Sequence, residues 1–328
     1  MRAFDHIAAQ SASDAAQALA AHGSGAMLIA GGADALSLLK SDLIAPSLLI
    51  DLKPVSALHG ITIASDGTVR LGALTTLADI ERDTELAERL PILRQAVRDA
   101  ATPQLRNVAT VGGNLLQRTR CWYYRGPYQC WQKGGETCFA REGQNKYHAI
   151  FDQGPCVSAH PSDLAPALLA LDASVVIQSQ SGEHIVLLAD FLRPPTDERR
   201  REAIIEQDGV VTAVTIPPQP ADAHGVYLKM MDRHAWAYAL VSAAAQLAVT
   251  DGVIAHARVA LGSVANVPLR LVKVEAALVG SPMTPTLVQA AADLAVEGAT
   301  PLAHNRYKIQ LARELTRRAL LLACGLGW

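Results

Sequence analysis

Aromatic residues make up only 5% of this 328-residue chain and charged residues 18%. No stretch approaches the roughly twenty uninterrupted apolar residues that a membrane-spanning helix needs, so none is expected. The first residues, Met1-Arg2-Ala3-Phe4-Asp5-His6, lack the apolar centre of a signal peptide. The expectation is therefore a chain made in the cytoplasm, which reaches the periplasm only by co-export with a partner carrying a twin-arginine signal. A formal net charge of −2 offers no electrostatic ground for nucleic acid or an anionic membrane as partner. Cysteines number only five, and none stands in a Cys-x-x-Cys, which removes the zinc-ribbon and ferredoxin patterns. The histidines are scattered without a metal-like pair, and His148 and His160 read as hydrogen-bonding loop residues. No internal repeat stands out.

What is present is a chain 50% hydrophobic, able to bury a large core, and long enough for two or three lobes. Ser11-Ala12-Ser13-Asp14 offers a cap for a helix to His22, closed by Gly23 and Gly25. Ala26–Ala30 then reads as a strand, Gly31-Gly32-Ala33-Asp34 as a turn, and Ala35–Lys40 as a helix. Such a turn presents backbone N–H groups to an anion, although an ordinary tight turn reads the same way. The spacing is neither a Rossmann fingerprint nor a P-loop. Further strands are expected over Ser47–Asp51 and in a hairpin from Ile61 to Gly72 that turns at Asp66-Gly67. Thr75–Ala101 is helical in pattern, with Pro91 starting a new helix.

Pro217-Pro218-Gln219-Pro220 is the clearest boundary. Beyond it, Val226–Met230, Ala239–Val249 and Val253–Gly262 read as three antiparallel strands, followed by helices over Leu271–Val279, Pro285–Glu297 and Arg306–Cys324. The fold class is α+β, divided as 1–55, 56–220 and 221–328.

The region between Asn114 and Asp163 is the most unusual. Cys121, Cys130, Cys138 and Cys156 fall there, interleaved with aromatics that are scarce elsewhere. By spacing alone an iron–sulfur cluster, a zinc site and two disulfides stand level. Cys324, set apart on a helix, reads as a small buried hydrophobe.

Two glycine motifs decide between families. Ala30-Gly31-Gly32-Ala33-Asp34-Ala35-Leu36 and Ala109-Thr110-Val111-Gly112-Gly113-Asn114-Leu115 resemble the two FAD-pyrophosphate motifs of the flavin subunits of molybdenum hydroxylases, among them xanthine dehydrogenase, carbon monoxide dehydrogenase and aldehyde oxidoreductases. Ser162-Asp163, Lys229 and the closing helix from Asn305-Arg306-Tyr307-Lys308 extend the resemblance over essentially the whole chain. It implies a two-lobed FAD-binding domain of the vanillyl-alcohol-oxidase type and a C-terminal domain with a three-stranded antiparallel sheet and helices. It also implies that Ala30–Leu36, Thr110, Gly112, Gly113, Asn114, Ser162, Asp163 and Lys229 contact FAD. Chemically, glycine turns on both sides suit a diphosphate, and an acceptor-only Asp163 suits a flavin hydroxyl. The plain alternatives are that Asp34 and Asp163 cap helices and that Lys229 is a solvated strand residue.

The insertion at 115–160 resembles the aldehyde oxidoreductase branch, and also 4-hydroxybenzoyl-CoA reductase, whose flavin subunits carry a 4Fe–4S cluster on four cysteines. The resemblance thus implies a cluster on Cys121, Cys130, Cys138 and Cys156. It implies as partners a large molybdenum-cofactor subunit and a small 2Fe–2S subunit in a heterotrimer that oxidises an aldehyde to a carboxylic acid and passes electrons through FAD to an external acceptor. No catalytic residue is expected here, because the flavin does the redox chemistry. A reductive acyl-CoA complex and a non-catalytic flavin-binding module are the alternatives.

Overall fold

The architecture comes from a computed structural model that describes residues 1–325. Three sheets follow one another along the chain. Strands β1 (Asp5–Ala8), β2 (Ala26–Ile29) and β3 (Leu48–Asp51) form a small parallel sheet in the order β1-β3-β2, and helix Ala12–His22 covers it through Ala15, Ala16 and Leu19. Short apolar runs make β2 and β3, and β2 is bounded by Gly25 and Gly31. Ser11 caps the helix as expected, its hydroxyl accepting from the Asp14 N–H.

The second sheet holds β4 (Ile61–Ile63), β5 (Val69–Gly72), β6 (Ser174–Ser179), β7 (Gly182–Leu187) and β8 (Val210–Ile216), all antiparallel in the order β4-β5-β8-β6-β7. About a hundred residues loop out between β5 and β6, and they carry the second glycine motif and every insertion cysteine. Thr75–Ala101 is not two helices but three, Leu77–Arg82, Thr84–Arg89 and Pro91–Arg98. The extra break falls at Asp83, whose carboxylate accepts from the Leu86 N–H and starts a new helix instead of continuing the old one.

The third sheet is β9 (Ala223–Met230), β10 (Val241–Thr250), β11 (Val253–Gly262) and β12 (Leu269–Arg270), in the order β12-β11-β10-β9. It has four strands where three were expected, because β12 is only two residues long and leaves no periodic trace in the sequence. Both faces are buried. Ala243, Ala245 and Leu247 of β10 point to the C-terminal helices, while Ala244 points with Tyr227 and Ala260 to the core built by helices Pro91–Arg98 and Leu164–Ala170. Period-two alternation makes this division, and the run of alanines lets helices approach from both sides.

Candidate cofactor cleft and cysteine pocket

A cleft of about 1140 Å³ runs between the small parallel sheet and the segment after β5. Its floor is the meeting point of the two glycine motifs. A Cβ on Gly31 would lie 1.5 Å from the Val108 carbonyl oxygen, so the backbones touch where only glycine fits. Gly32 takes φ +71 and turns the chain away from the contact. Among the described residues, no acceptor takes the N–H of Gly31, Gly32, Ala33 or Asp34, and all four residues line the cleft.

The second motif differs from the expectation of a matching set of free donors. Val111 N donates to Thr75 O, Gly112 N to Ala73 O, Gly113 N to Thr110 Oγ1 and Asn114 N to Thr110 O. Thr110 therefore caps the short helix Val111–Leu116. This motif contributes a close-packed wall and the Asn114 side chain, whose Oδ1 accepts from Ser162 Oγ.

Of the residues expected at the cofactor, Ala30, Gly31, Gly32, Ala33, Asp34, Ala35, Thr110, Gly112, Gly113, Asn114 and Asp163 line the cleft, whereas Leu36, Ser162 and Lys229 do not. Leu36 is 42% exposed beside Gly32. Ser162 stands behind Asn114 and accepts from Ala165 N, starting helix Leu164–Ala170. Lys229 is not a solvated strand residue: its side chain is fully buried and its Nζ donates to Asp163 Oδ2 and Asp99 O, each at 2.8 Å. Tyr227 donates to the other oxygen, Asp163 Oδ1, at 2.7 Å. Burial raises the Asp163 pKa, and the Lys229 ammonium opposes that rise.

Asp34 does not cap its helix. Its carboxylate reaches into the insertion, Oδ2 accepting from Arg118 N at 2.9 Å and Oδ1 from the Arg120 and Arg125 guanidinium groups. Arg118 in turn pairs with the buried Glu202 at 3.0 Å.

The four insertion cysteines converge. Cys121, Cys130, Cys138 and Cys156 line one small pocket walled by Tyr123, Tyr124, Trp131 and Phe139, and all are free thiols. Two disulfides are therefore not what holds this loop. Burial pushes the Cys121 thiol up to about 11. A hydrogen bond from Cys156 pulls Cys138 below the ordinary thiol range, and the same bond with burial holds Cys156 above it. Among the described residues, no group of three or more His, Cys, Asp or Glu side chains has the geometry to hold a single metal ion. The expected four-cysteine metal site thus exists as a gathering of thiols, not as a tetrahedral ion site.

The insertion has little regular structure, a single helical turn at Trp122–Arg125 and a tight turn at Trp131–Lys133. Polar clasps order it. From the C-terminal helix region, Asn305 Nδ2 donates to His148 O and Ala149 O, Lys308 Nζ to Tyr147 O at 3.1 Å, and Tyr307 Oη to Lys146 O. His148 Nε2 lies 3.1 Å from Cys121 Sγ. His160 is fully enclosed between cleft and insertion, and burial holds it down at about 4.

Residues 2–219 match the FAD binding domain in molybdopterin dehydrogenase, and residues 226–323 match the CO dehydrogenase flavoprotein C-terminal domain. The chain belongs to the FAD-binding family of the molybdopterin dehydrogenases. Within that family it is 37% identical over 293 residues to the aldehyde oxidoreductase FAD-binding subunit PaoB of Escherichia coli (strain K12), covering 88% of each chain. It is 26% identical over 322 residues to the carbon monoxide dehydrogenase medium chain of Hydrogenophaga pseudoflava, covering 97% of this chain and 96% of that one. Among solved structures, the carbon monoxide dehydrogenase from Hydrogenophaga pseudoflava superposes with a TM-score of 0.80 at 26% identity, over 99% of this chain and 98% of that chain. Quinoline 2-oxidoreductase from Pseudomonas putida 86 gives 0.76 at 27% identity, with the same shares covered.

Several residues at this family's cleft escaped the sequence reading. Tyr227 gives no sign of its partner, because Asp163 lies on a distant segment. Trp236 and Tyr238 line the cleft mouth from the loop between β9 and β10. Arg118, Arg120 and Arg125 did leave a signal, three arginines crowded around Cys121 in a chain of low charge.

Proposed function

We propose that this chain is the FAD-binding electron-transfer subunit of a molybdenum-cofactor complex that oxidises an aldehyde to a carboxylic acid. The observation that carries the reading is the cleft itself, where Gly31 of the first glycine motif touches the backbone at Val108, just before the second, and four cleft-lining residues, Gly31 to Asp34, keep their backbone N–H groups without an acceptor. The cleft suits a dinucleotide in size, since ligand pockets of drug-sized molecules run to about 1,000 Å³. The Gly31–Asp34 turn would hold the diphosphate, with Asn114 and Asp163 on hydroxyl groups. When bound, FAD would supply one- and two-electron redox chemistry. The chain's own work is to hold that cofactor. Lys229 and Tyr227 fix the Asp163 carboxylate, Ser162 fixes Asn114, and Asp34 fixes the insertion against the cleft. The aldehyde specificity rests on the relationship to the Escherichia coli subunit, and the partners are a molybdenum-cofactor large subunit and a small 2Fe–2S subunit.

The four cysteines hold a 4Fe–4S cluster in this reading. The donor set fits: four thiols, none in a disulfide, share one aromatic-walled pocket, and four thiolates are the usual ligand set for this cofactor. Cys121, Cys130, Cys138 and Cys156 would supply the four thiolates. The cluster supplies one-electron transfer beside the flavin cleft.

The test is to purify the intact complex anaerobically and measure FAD, iron, acid-labile sulfide and molybdenum, then assay an aromatic aldehyde and an aromatic acyl-CoA. One FAD per chain and aldehyde turnover support the reading, with iron and sulfide beyond the small subunit's share assigning the cluster. Turnover of the acyl-CoA alone, or a chain without flavin, overturns the function. Iron confined to the small subunit removes the cluster and leaves the flavin assignment standing.

A further inference from the structure

We infer that His148 sets the reduction potential of the iron–sulfur centre by donating its Nε2–H to the sulfur of Cys121, an inference that rests on the four-cysteine cluster reading. His148 is 5% exposed and its Nε2 lies 3.1 Å from Cys121 Sγ. It is the only nitrogen-bearing side chain bonded to any of the four sulfurs among the described residues. Ser158 meets Cys156 through its backbone N–H and its hydroxyl, both at 3.4 Å. Backbone donors are present in any sequence that folds this way, whereas an imidazole at this place is a choice made by one residue.

The backbone that carries the ring is held in place. His148 N donates to Asn145 O, His148 O accepts from Asn305 Nδ2, and Lys308 holds the preceding carbonyl at Tyr147. Tyr123 packs beside the ring with centroids 6.4 Å apart. When Cys121 is a thiolate ligand its sulfur is an acceptor only, so the proton of this contact sits on Nε2. An N–H···S bond strengthens as negative charge accumulates on the sulfur. It therefore stabilises the reduced centre over the oxidised one and raises the potential. Cys121 is also the cysteine that follows Arg120, a ligand of the Asp34 carboxylate in the flavin cleft. Tuning is thus applied to the sulfur nearest in sequence to the tie that joins the two redox sites.

The experiment uses the complete complex carrying His148→Gln, His148→Leu or His148→Phe. Each is examined first for iron, sulfide and FAD per complex, and then by EPR-monitored redox titration. Glutamine keeps an N–H donor at nearly the same reach and should titrate close to the parent. Leucine and phenylalanine remove the donor and should shift the cluster midpoint to a more negative potential with iron and flavin content unchanged. An iron-replete leucine or phenylalanine variant with the parent potential overturns the inference. Loss of iron from both of them, with retention in the glutamine variant, also overturns it and makes His148 a structural prop. An iron-free insertion in the parent complex would instead remove the cluster reading on which the inference stands, so the two failures are read separately.

Discussion

The carboxylate of Asp34, on the first glycine turn, accepts from the guanidinium of Arg125 at 2.8 Å, on the far side of the insertion's first cysteine. With Arg118 and Arg120 on the same carboxylate, one side chain joins the flavin cleft to the cysteine pocket. Asp34→Asn keeps an oxygen for the Arg118 N–H but removes the charge that both guanidinium groups share. Because the three partners are only partly buried, the expected cost is about 2 kcal/mol. It should fall locally. Limited proteolysis is expected to cut between residues 117 and 135 in the variant while the C-terminal domain resists. A parent-like digestion pattern would show that Asp34 does not hold the insertion.

Gly31→Ala pushes a Cβ into the Val108 carbonyl oxygen, whereas at Gly113 the same change meets only Thr110 Oγ1 at 3.0 Å. Parting the two motifs should empty the cleft of flavin, so the Gly31 variant is expected to release little FAD per chain on denaturation. Gly113→Ala should retain most of it. Equal retention in the two variants would mean that the contact at Val108 does not shape the site.

Lys229→Met leaves the Asp163 carboxylate buried without its counter-ion, a change that typically costs about 3–5 kcal/mol. The double variant Lys229→Met, Asp163→Asn removes both charges and should recover part of that loss. Denaturant unfolding of the single and double variants measures the coupling. Additive effects would argue that the pair at 2.8 Å makes no net contribution.

Burial holds Lys308 down at about 7, against roughly 10.4 in an unfolded chain. Between those values the unfolded state carries a proton that the folded state lacks, so stability contributed through Lys308 rises as pH increases across that window and is flat below it. A neutral amine still has two N–H bonds for the Tyr147 and Ser263 carbonyls that Lys308 meets. Unfolding free energies from urea titrations at pH 6.5 to 9.5 should climb for the parent and climb less for Lys308→Met, by about 1.4 kcal/mol per pH unit of window. Parallel curves would show that Lys308 does not titrate there.

Much of this was legible because local chemistry repeats itself. Glycines mark both ends of β2, Asp66-Gly67 and Asp251-Gly252 turn their hairpins, and Pro285 starts a helix that Thr284 caps. The ten-residue β10 was readable despite its alanines because a hairpin turn and β11 follow it. What failed were relationships across long stretches of chain. Asp34 was weighed as a cap or a phosphate contact, yet its partners lie more than eighty residues on. The family resemblance implies that Lys229 contacts FAD, and nothing local to its strand hints at its bond to Asp163. The insertion lacks any period that would mark its order in the sequence. Asn305, Tyr307 and Lys308 show that the protein itself supplies a large part of it.

Those last contacts bear on biosynthesis. The backbone from Lys146 to Ala149 is gripped by residues 305 to 308, which leave the ribosome more than 150 residues later. A nascent chain that has exposed all four insertion cysteines therefore still lacks the clasp that encloses them. The segment that carries these thiols therefore stays unclasped, and open to solvent and oxidants, until the final helix is made and docks.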